Sequence, residues 1–274
     1  MSCKVIALTN QKGGVGKTTS TVNLGAALAK EGNRVLLIDA DPQGSLTIFM
    51  GVKIPDDLDE TLATLMQRTI DEEPMPENYG IRTNTEGLHY IPANVELSAM
   101  EMTLFNCMSR ERILADCIEP LKKDYDYILI DCMPSLGMMT INVLAAADSV
   151  LIPLKPDYLS TKGTNLLLKS IARVKRQINP RLLIDGILFT MVDNRTVNDR
   201  SIIQSMKDSI GSGIHFFDAT IPRSVRAAEC SLSGESIFSF DKSSKVAEAY
   251  EQIGKEVDSI GKSEKHRSGD ERIR

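Results

Sequence analysis

Hydrophobic residues recur along the chain in seven short runs, which are separated by segments of helical periodicity. The runs cover residues 4–9, 34–39, 88–92, 127–131, 149–154, 183–192 and 216–221. Several of them, such as VLLID and YILID, are continuous rather than alternating, which is typical of strands that helices cover on both faces. The pattern predicts an α/β fold with a doubly wound, mainly parallel twisted sheet flanked by helices.

A glycine-rich stretch, QKGGVGKTT at residues 11–19, lies between the first apolar run and the first predicted helix. Because glycine has no Cβ, the glycines at positions 13, 14 and 16 let successive backbone N–H groups converge on phosphate oxygens. Gln11 stands where the standard phosphate loop, G-x-x-x-x-G-K-[ST], has its first glycine. Lys17 can still bring a charge to the phosphates of ATP, and the Thr18 hydroxyl can bind Mg²⁺. The alternative interpretation is a glycine-rich turn with two solvated lysines.

Acidic residues stand at the ends of two predicted strands. The motif RVLLIDADPQG places Asp39 and Asp41 at the carboxyl end of one strand, and YDYILIDCMPSLG places Asp131 at the end of another. Buried carboxylates are costly without a cationic or metal partner. We therefore expect Asp131 to hold Mg²⁺ through water, although turn formation and helix capping are the alternative roles of these residues.

Cations form a second pattern. The net charge of −5 gives no general attraction to nucleic acid, so any such contact has to come from a local patch. The helix predicted over residues 160–178 has one apolar face and one basic stripe, for which a solvated surface is the alternative. The stripe consists of Lys162, Lys169, Arg173 and Arg176. Strand ends and loops carry Arg195, Arg200, Arg223 and Arg226, where side chains are free to reach a ligand.

Length and cysteine content indicate one large cytoplasmic domain. A chain of 274 residues can bury a sizeable core. Its five cysteines are scattered without a C-x-x-C pair, which is typical of reduced thiols. No apolar run approaches the roughly 20 residues that cross a bilayer. The spacing of Val246, Tyr250, Ile253, Val257 and Ile260 predicts a last helix over about residues 243–260. We predict a single ATPase domain over residues 1–260 and a charged, disordered tail over residues 261–274.

Five motifs in this order resemble the ParA/Soj family of partition ATPases, which are P-loop NTPases of the deviant Walker A type, like MinD. They are QKGGVGKTT, RVLLIDADPQG, YDYILIDCMPSLG, TMVDNRT and IPRSVR, and the resemblance covers roughly residues 3–258. Lys12 carries the most specific part of it, because the deviant loop has a lysine just before its first glycine. Met133 departs from the family pattern, in which a proline is common at this position.

The resemblance implies a role for each site residue. Lys12, Lys17 and Asp41 are implied to be catalytic: Asp41 would orient the attacking water, and Lys12 would reach the phosphates bound by the other subunit of a homodimer. ATP would be bound by Lys12, Gly13, Gly14, Val15, Gly16, Lys17, Thr18 and Thr19, with an adenine pocket of Thr190, Met191, Pro222 and Arg223. Mg²⁺ would be held by Thr18 and, through water, by Asp131. Asp39 would have a structural role and would support these ligands without binding the ion itself.

The resemblance also implies a cycle of DNA binding. The ATP-bound homodimer would bind double-stranded DNA without sequence preference through Arg195 and Arg226, to which Arg200, Arg223 and the basic stripe of helix 160–178 are added on charge alone. A centromere-binding, ParB-like partner would stimulate a weak ATPase and release the dimer from DNA. The implied function is segregation of plasmid, chromosome or mobile-element DNA by a cytoplasmic protein that associates with the nucleoid in its ATP state.

Three other functions share parts of this chemistry. A MinD-like membrane ATPase needs a C-terminal amphipathic helix with an apolar face, and residues 262–274 offer only Ile273. An electron-transfer protein like the nitrogenase iron protein needs cysteines that hold an iron–sulfur cluster, and Cys132 lacks the glycine-flanked context for that role. We expect neither membrane binding nor an iron–sulfur cluster. The sequence does not exclude a third function, in which the ATPase positions a conjugation complex or a protein microcompartment.

Overall fold

A seven-stranded sheet forms the centre of the computed structural model, which describes residues 3–157, 160–193, 195–211 and 213–271. The strand order is β3-β4-β2-β5-β1-β6-β7, and all pairings are parallel except that of the edge strand β3 with β4. The strands are β1 (Lys4–Leu8), β2 (Val35–Ala40), β3 (Arg82–Thr83), β4 (His89–Ile91), β5 (Tyr127–Cys132), β6 (Ser149–Leu154) and β7 (Leu183–Phe189). The predicted fold class is confirmed.

Helices cover both faces of the sheet. They are α1 (Lys17–Lys30), α2 (Ser45–Phe49), α3 (Leu62–Ile70), α4 (Glu96–Phe105), α5 (Ile113–Ile118), α6 (Met138–Ala146), α7 (Ser160–Gln177), α8 (Val197–Ile210), α9 (Val225–Ser233), α10 (Ile237–Phe240) and α11 (Lys245–Glu271). One core lies between the sheet and α3 to α8, and the other lies between the sheet and α1, α2 and α9 to α11. Successive strand residues alternate between the two cores, which explains why the strand sequences are continuously apolar.

Helix α11 packs closely on α1. The space between them is so small that a Cβ added at Gly254 would lie 2.9 Å from the Cβ of Ala27. One turn earlier on α11, the buried hydroxyl of Tyr250 forms a hydrogen bond of 3.1 Å with the Ser20 hydroxyl. The helix that begins at the glycine-rich loop is thus held by a helix from a distant part of the sequence.

The structure differs from the strand pattern in two places. Residues 216–221 run beside β7 as an irregular segment, joined by isolated bridges such as Ile187 to Phe216, rather than as a strand. Only some residues of this segment form backbone hydrogen bonds with β7, and Pro222 has no N–H that could continue a regular β-ladder. The sequence pattern also missed β3, because a two-residue strand is too short to show periodicity.

The last helix also differs from the sequence-based prediction. Apolar spacing predicted an end near Ile260, whereas α11 continues to Glu271. Lys262 forms a 2.5 Å ion pair with Asp258, one turn earlier on the same helix. Residues 272–274 lie outside the described residues, and the division into a domain and a tail stays a prediction. Of the helices in the described residues, none is both long enough and apolar enough to span a bilayer.

Candidate nucleotide-binding site

The glycine-rich loop leaves β1 at the carboxyl edge of the sheet and leads directly into α1. Gly14 and Gly16 have φ angles of +68° and +83°, a left-handed conformation that strains other residues. Gly16 caps α1 and Lys17 is the first residue of the helix. The Thr190 hydroxyl donates a 2.7 Å hydrogen bond to the Val15 carbonyl, which ties the loop to the segment after β7. The loop is therefore held from two sides, with the N–H groups of α1 facing the carboxyl edge.

Asp131 and Asp39 lie opposite each other on the neighbouring strands β5 and β2, and both are buried. The Thr18 hydroxyl donates a 2.6 Å hydrogen bond to Oδ2 of Asp131. Burial raises the pKa of Asp131 to about 8, with a further contribution from the charge of Asp39, while Thr18 and Lys17 act in the opposite direction. A nearby cation favours the ionised carboxylate. A hydroxyl and a carboxylate in contact at this edge are ligands that suit Mg²⁺.

Asp39 and Asp41 come from the same strand end but have different surroundings. Asp39 accepts hydrogen bonds from the backbone and hydroxyl of Thr47, at 2.8 and 2.7 Å, and from the Asp41 N–H at 3.2 Å. Burial raises the pKa of Asp39 to about 6, and the hydrogen bonds from Thr47 oppose this shift. The Asp41 carboxylate is half-buried and accepts a 3.0 Å bond from the Gln43 N–H. Asp39 thus shapes the strand end, and Asp41 is free to meet a ligand.

A cleft of about 430 Å³ lies in front of the glycine-rich loop. Its walls include the predicted residues Gly13, Gly14, Gly16, Lys17, Thr18, Thr19 and Asp41. Lys17 is buried at the base of the loop, and its Nζ lies 3.4 Å from the Lys12 carbonyl. The opposite wall is formed by Ser231 and Leu232 of α9, together with α2. Six of the eight loop residues predicted to bind ATP thus line one space, whereas Lys12 and the buried Val15 do not.

A second pocket of about 220 Å³ continues from this cleft. The two share Gly16, Thr19 and Met191. All four residues predicted for an adenine pocket line it, namely Thr190, Met191, Pro222 and Arg223. Apolar groups of Ile221, Ala227 and Tyr250 complete the wall. The pair of cavities therefore offers a polar end for phosphates and a more apolar end for a base.

Lys12 lies outside both cavities. Its ammonium forms an ion pair with Asp157, and its side chain is 42% exposed. Its backbone N–H donates a 3.0 Å hydrogen bond to Oδ1 of Asn10, which turns the loop at this point. Within its own chain, Lys12 is therefore directed to a surface carboxylate rather than to the phosphate cleft.

The four arginines predicted to bind DNA belong to the starts of two helices, and the backbone N–H of Arg223 donates a 3.0 Å hydrogen bond to the Val192 carbonyl beside Asp193. Arg195 and Arg200 lie at the start of α8, whereas Arg223 and Arg226 lie at the start of α9 in the other helical layer. Arg195 donates two hydrogen bonds to Asp193, at 3.0 and 2.9 Å, which lower the pKa of that carboxyl to about 2. The Nε of Arg226 lies 3.4 Å from Oδ2 of Asp241.

Several residues of the site were missed in the sequence. Asp157 comes three residues after the end of β6, at the same edge of the sheet as Asp131 near the end of β5, so the strand-end argument could have found it. Thr47 carries no comparable signal, because its contact with Asp39 depends on the position of α2. Ser231 and Leu232 likewise belong to a distant helix that only the fold brings to the cleft.

Comparison with known proteins gives a consistent result. A family model described as AAA domain matches residues 3–184. Sporulation initiation inhibitor protein Soj of Bacillus subtilis (strain 168) is 41% identical over 258 residues, covering 94% of this chain and 99% of Soj. Chromosome partitioning protein ParA of Myxococcus xanthus (strain DK1622) is 39% identical over 254 residues, covering 93% of this chain and 87% of that protein.

One solved structure is similar to this chain in both fold and sequence. Cobyrinic acid a,c-diamide synthase from Mycobacterium smegmatis, with bound ADP and magnesium, superposes with a TM-score of 0.80 at 34% sequence identity. The match covers 92% of this chain and 93% of that one. Since relatives of this similarity extend over most of the chain, it belongs to the AAA domain family and, within it, to the ParA/Soj family of ATPases.

Proposed function

We propose that the protein is an ATPase that hydrolyses Mg²⁺-ATP as a homodimer, binds double-stranded DNA without sequence preference in its ATP state, and segregates DNA together with a ParB-like partner. The observation that carries the proposal is the 2.6 Å contact between Thr18 and the buried Asp131, beside Lys17 and a cleft that continues into an apolar pocket. The similar M. smegmatis structure, which has bound ADP and magnesium, supports nucleotide binding by this fold.

Different residues around the cleft bind different parts of the nucleotide. Lys17 and the loop N–H groups bind the phosphates, and Thr190, Met191, Pro222 and Arg223 enclose the adenine. Thr18 and, through water, Asp131 hold Mg²⁺, which neutralises phosphate charge when it is bound. The two buried carboxylates fit a divalent cation, because the charge of Asp39 disfavours ionisation of Asp131 unless a cation is present. Asp39 keeps the strand end in place through Thr47.

Hydrolysis requires a group that orients water, and Asp41 fits this role. Its carboxylate lines the cleft and is not bound by a cation in the described part of the chain. Lys12 supplies a second charge across the interface of a homodimer, because it lies on the surface next to the loop. A cation delivered in this way neutralises charge that spreads over the transferred phosphoryl group. Hydrolysis is therefore coupled to dimerisation.

The names of the relatives support DNA as the cargo. Soj is described as a sporulation initiation inhibitor and the M. xanthus relative as a chromosome partitioning protein. In this chain DNA contact is assigned to Arg195, Arg200, Arg223 and Arg226, all at helix starts close to the nucleotide edge. ATP would thus place the protein on the nucleoid, and hydrolysis stimulated by the partner would release it.

Phosphate release tests the proposal directly. We expect slow hydrolysis by the wild-type protein alone and faster hydrolysis with duplex DNA and a ParB-like protein. Asp41→Ala is expected to bind ATP normally and to hydrolyse it about 10²-fold more slowly. Asp59→Ala, an exposed carboxylate elsewhere, serves as the matched control.

Two results would contradict the proposal. Normal turnover by Asp41→Ala would assign water orientation to another group. Acceleration by anionic lipid vesicles, with no response to duplex DNA, would favour a MinD-like function instead.

A further inference from the structure

Helix α7 is unusual in its charge. Between Asp157 and Asp185 the sequence contains six lysines and arginines and no acidic residue, although the whole chain has more acidic than basic residues. Helix α7 buries Leu167, Ile171 and Val174 in the core. On the opposite side it exposes Lys169, Arg173 and Arg176, which we call the α7 basic face. The side chain of Lys162, the fourth cation of the predicted stripe, lies outside the described residues. Their spacing of four and three residues aligns them over about 10 Å of helix.

The cations of the α7 basic face have no acidic partner in the described part of the chain. Some cations on another surface helix, α11, are paired, namely Lys255 with Glu251 at 3.0 Å and Lys262 with Asp258 at 2.5 Å. Arg176 in the last turn is favoured by the helix dipole, but Lys169 and Arg173 gain little from it. Like charges four residues apart destabilise a helix. Helix stability therefore does not explain why Lys169 and Arg173 are placed together.

Two of the four arginines expected to contact DNA, Arg195 and Arg226, are in the opposite situation. Arg195 is held by Asp193 in a bidentate pair, and Arg226 lies near Asp241. The carboxylate beside each guanidinium carries the same sign of charge as a phosphate, so a phosphate gains less electrostatic attraction there. The unpaired cations of α7 meet no such competition, and Arg200 adds a further exposed cation on the adjacent helix α8.

The chemistry of the face favours phosphate over an acidic protein. An acidic amphipathic helix would need a line of apolar side chains to pack against. Among its described side chains, α7 exposes one large apolar group, Leu166. Asn165 and Gln177 are exposed on the same helix and can donate hydrogen bonds to phosphate and sugar oxygens.

We propose that the α7 basic face binds the phosphate backbone of double-stranded DNA and contributes more to this binding than Arg195 and Arg226. The inference rests on the proposed DNA-binding function and places its main contact on a different helix. Such contacts carry no sequence information, in keeping with binding that lacks sequence preference.

The test is a binding titration of the full chain with ATP and Mg²⁺ against a short fluorescein-labelled duplex of mixed sequence, over a series of salt concentrations. We expect Lys169→Gln with Arg173→Gln to weaken binding about tenfold or more and to lower the slope of log K against log salt by about 2, since each lost phosphate contact removes about 0.9. The matched control is Lys53→Gln with Lys123→Gln, which removes the same charge from exposed positions elsewhere. Arg195→Gln with Arg226→Gln is expected to have the smaller effect. Binding of a fluorescent ATP analogue verifies that each variant is folded.

The outcomes separate this inference from the function on which it rests. If the wild-type protein binds no duplex, both the proposed DNA function and this assignment are wrong. If it binds duplex and the α7 variant keeps the wild-type affinity and salt slope, only the assignment to α7 is wrong. Poly-glutamate that binds more tightly than the duplex, and is lost in the same α7 variant, would assign the face to an acidic protein instead.

Discussion

Lys17 and Lys12 belong to the same glycine-rich loop, but their surroundings differ. Lys17 is buried at the first turn of α1, where its charge acts on Asp131. Lys12 is half-exposed and paired with Asp157. The buried part of the site, formed by Lys17, Thr18, Asp39 and Asp131, is fixed by contacts within one chain. The exposed part, formed by Lys12 and Asp41, can still contact a ligand or a second molecule.

This difference predicts that ATP binding and ATP hydrolysis depend on different residues of the site. A buried group with fixed hydrogen bonds is ready to hold a ligand before any second molecule arrives. A surface ion pair such as that of Lys12 contributes only about 0–1 kcal/mol, so the lysine can leave it at little cost. We therefore expect substitutions in the buried part to weaken ATP binding or stability, and those in the exposed part to slow hydrolysis.

Lys12→Ala is expected to have the largest effect. If Lys12 neutralises transition-state charge across a dimer, its loss lowers hydrolysis by about 10³-fold or more. ATP affinity should stay close to that of the wild type, because Lys12 lies outside the cleft. Phosphate release and equilibrium binding of a fluorescent ATP analogue measure the two quantities, with Lys53→Ala as the control. Loss of affinity together with rate would place Lys12 in the buried part.

Lys17→Ala tests the buried part in the same assays. Removing a charged hydrogen-bond donor to phosphate costs about 1.5–3 kcal/mol, which corresponds to about 10- to 150-fold weaker ATP binding. At ATP concentrations near the wild-type Kd, hydrolysis then falls with the fraction of protein that has ATP bound. Tight ATP binding by this variant would refute the assignment of the loop.

Thr47→Val tests whether the buried part depends on its supporting contacts. The Thr47 hydroxyl donates to Asp39 and also accepts a 2.9 Å hydrogen bond from the buried Ala93 N–H. Leaving these groups unsatisfied should lower the free energy of unfolding by about 1–3 kcal/mol. Urea denaturation measures the change, and Thr103→Val, whose hydroxyl bonds within its own surface helix, is the control. Equal stability of both variants would show that Asp39 finds other partners.

Arg195→Ala is expected to have the smallest effect. The guanidinium lowers the pKa of Asp193 to about 2, so its removal should raise that pKa toward the ordinary value of about 3.9. In the variant Asp193 takes up its proton at a higher pH, which NMR of the carboxyl carbon can follow. Arg200→Ala should leave this titration unchanged. An unaltered pKa in Arg195→Ala would mean that the pair does not persist in solution.

The sequence was most informative where one local pattern determines structure. Continuous apolar runs predicted the central strands, and strand-end acids placed Asp39 and Asp131 at the carboxyl edge, because parallel strands end on the same side. The pattern failed at residues 216–221, where an edge segment is apolar without forming a regular ladder. It also failed at the end of α11, which continues beyond the last apolar contact.

Contacts between distant elements could not be predicted. The carboxylates that pair with Lys12 and Arg226 come from Asp157 and Asp241, and no periodicity links such positions. The roles assigned to Asp41, Lys12 and the arginines stay predictions, since they depend on groups outside a single chain.

The packing of α11 on α1 has a consequence for synthesis of the protein on the ribosome. Ser20 and Tyr250 are 230 residues apart, and Gly254 must reach Ala27 before the outer face of α1 is covered. The glycine-rich loop is translated first, but the helix that follows it stays partly uncovered until α11 has left the exit tunnel. A nascent chain therefore carries an incomplete nucleotide site until the segment that forms α11 has been translated.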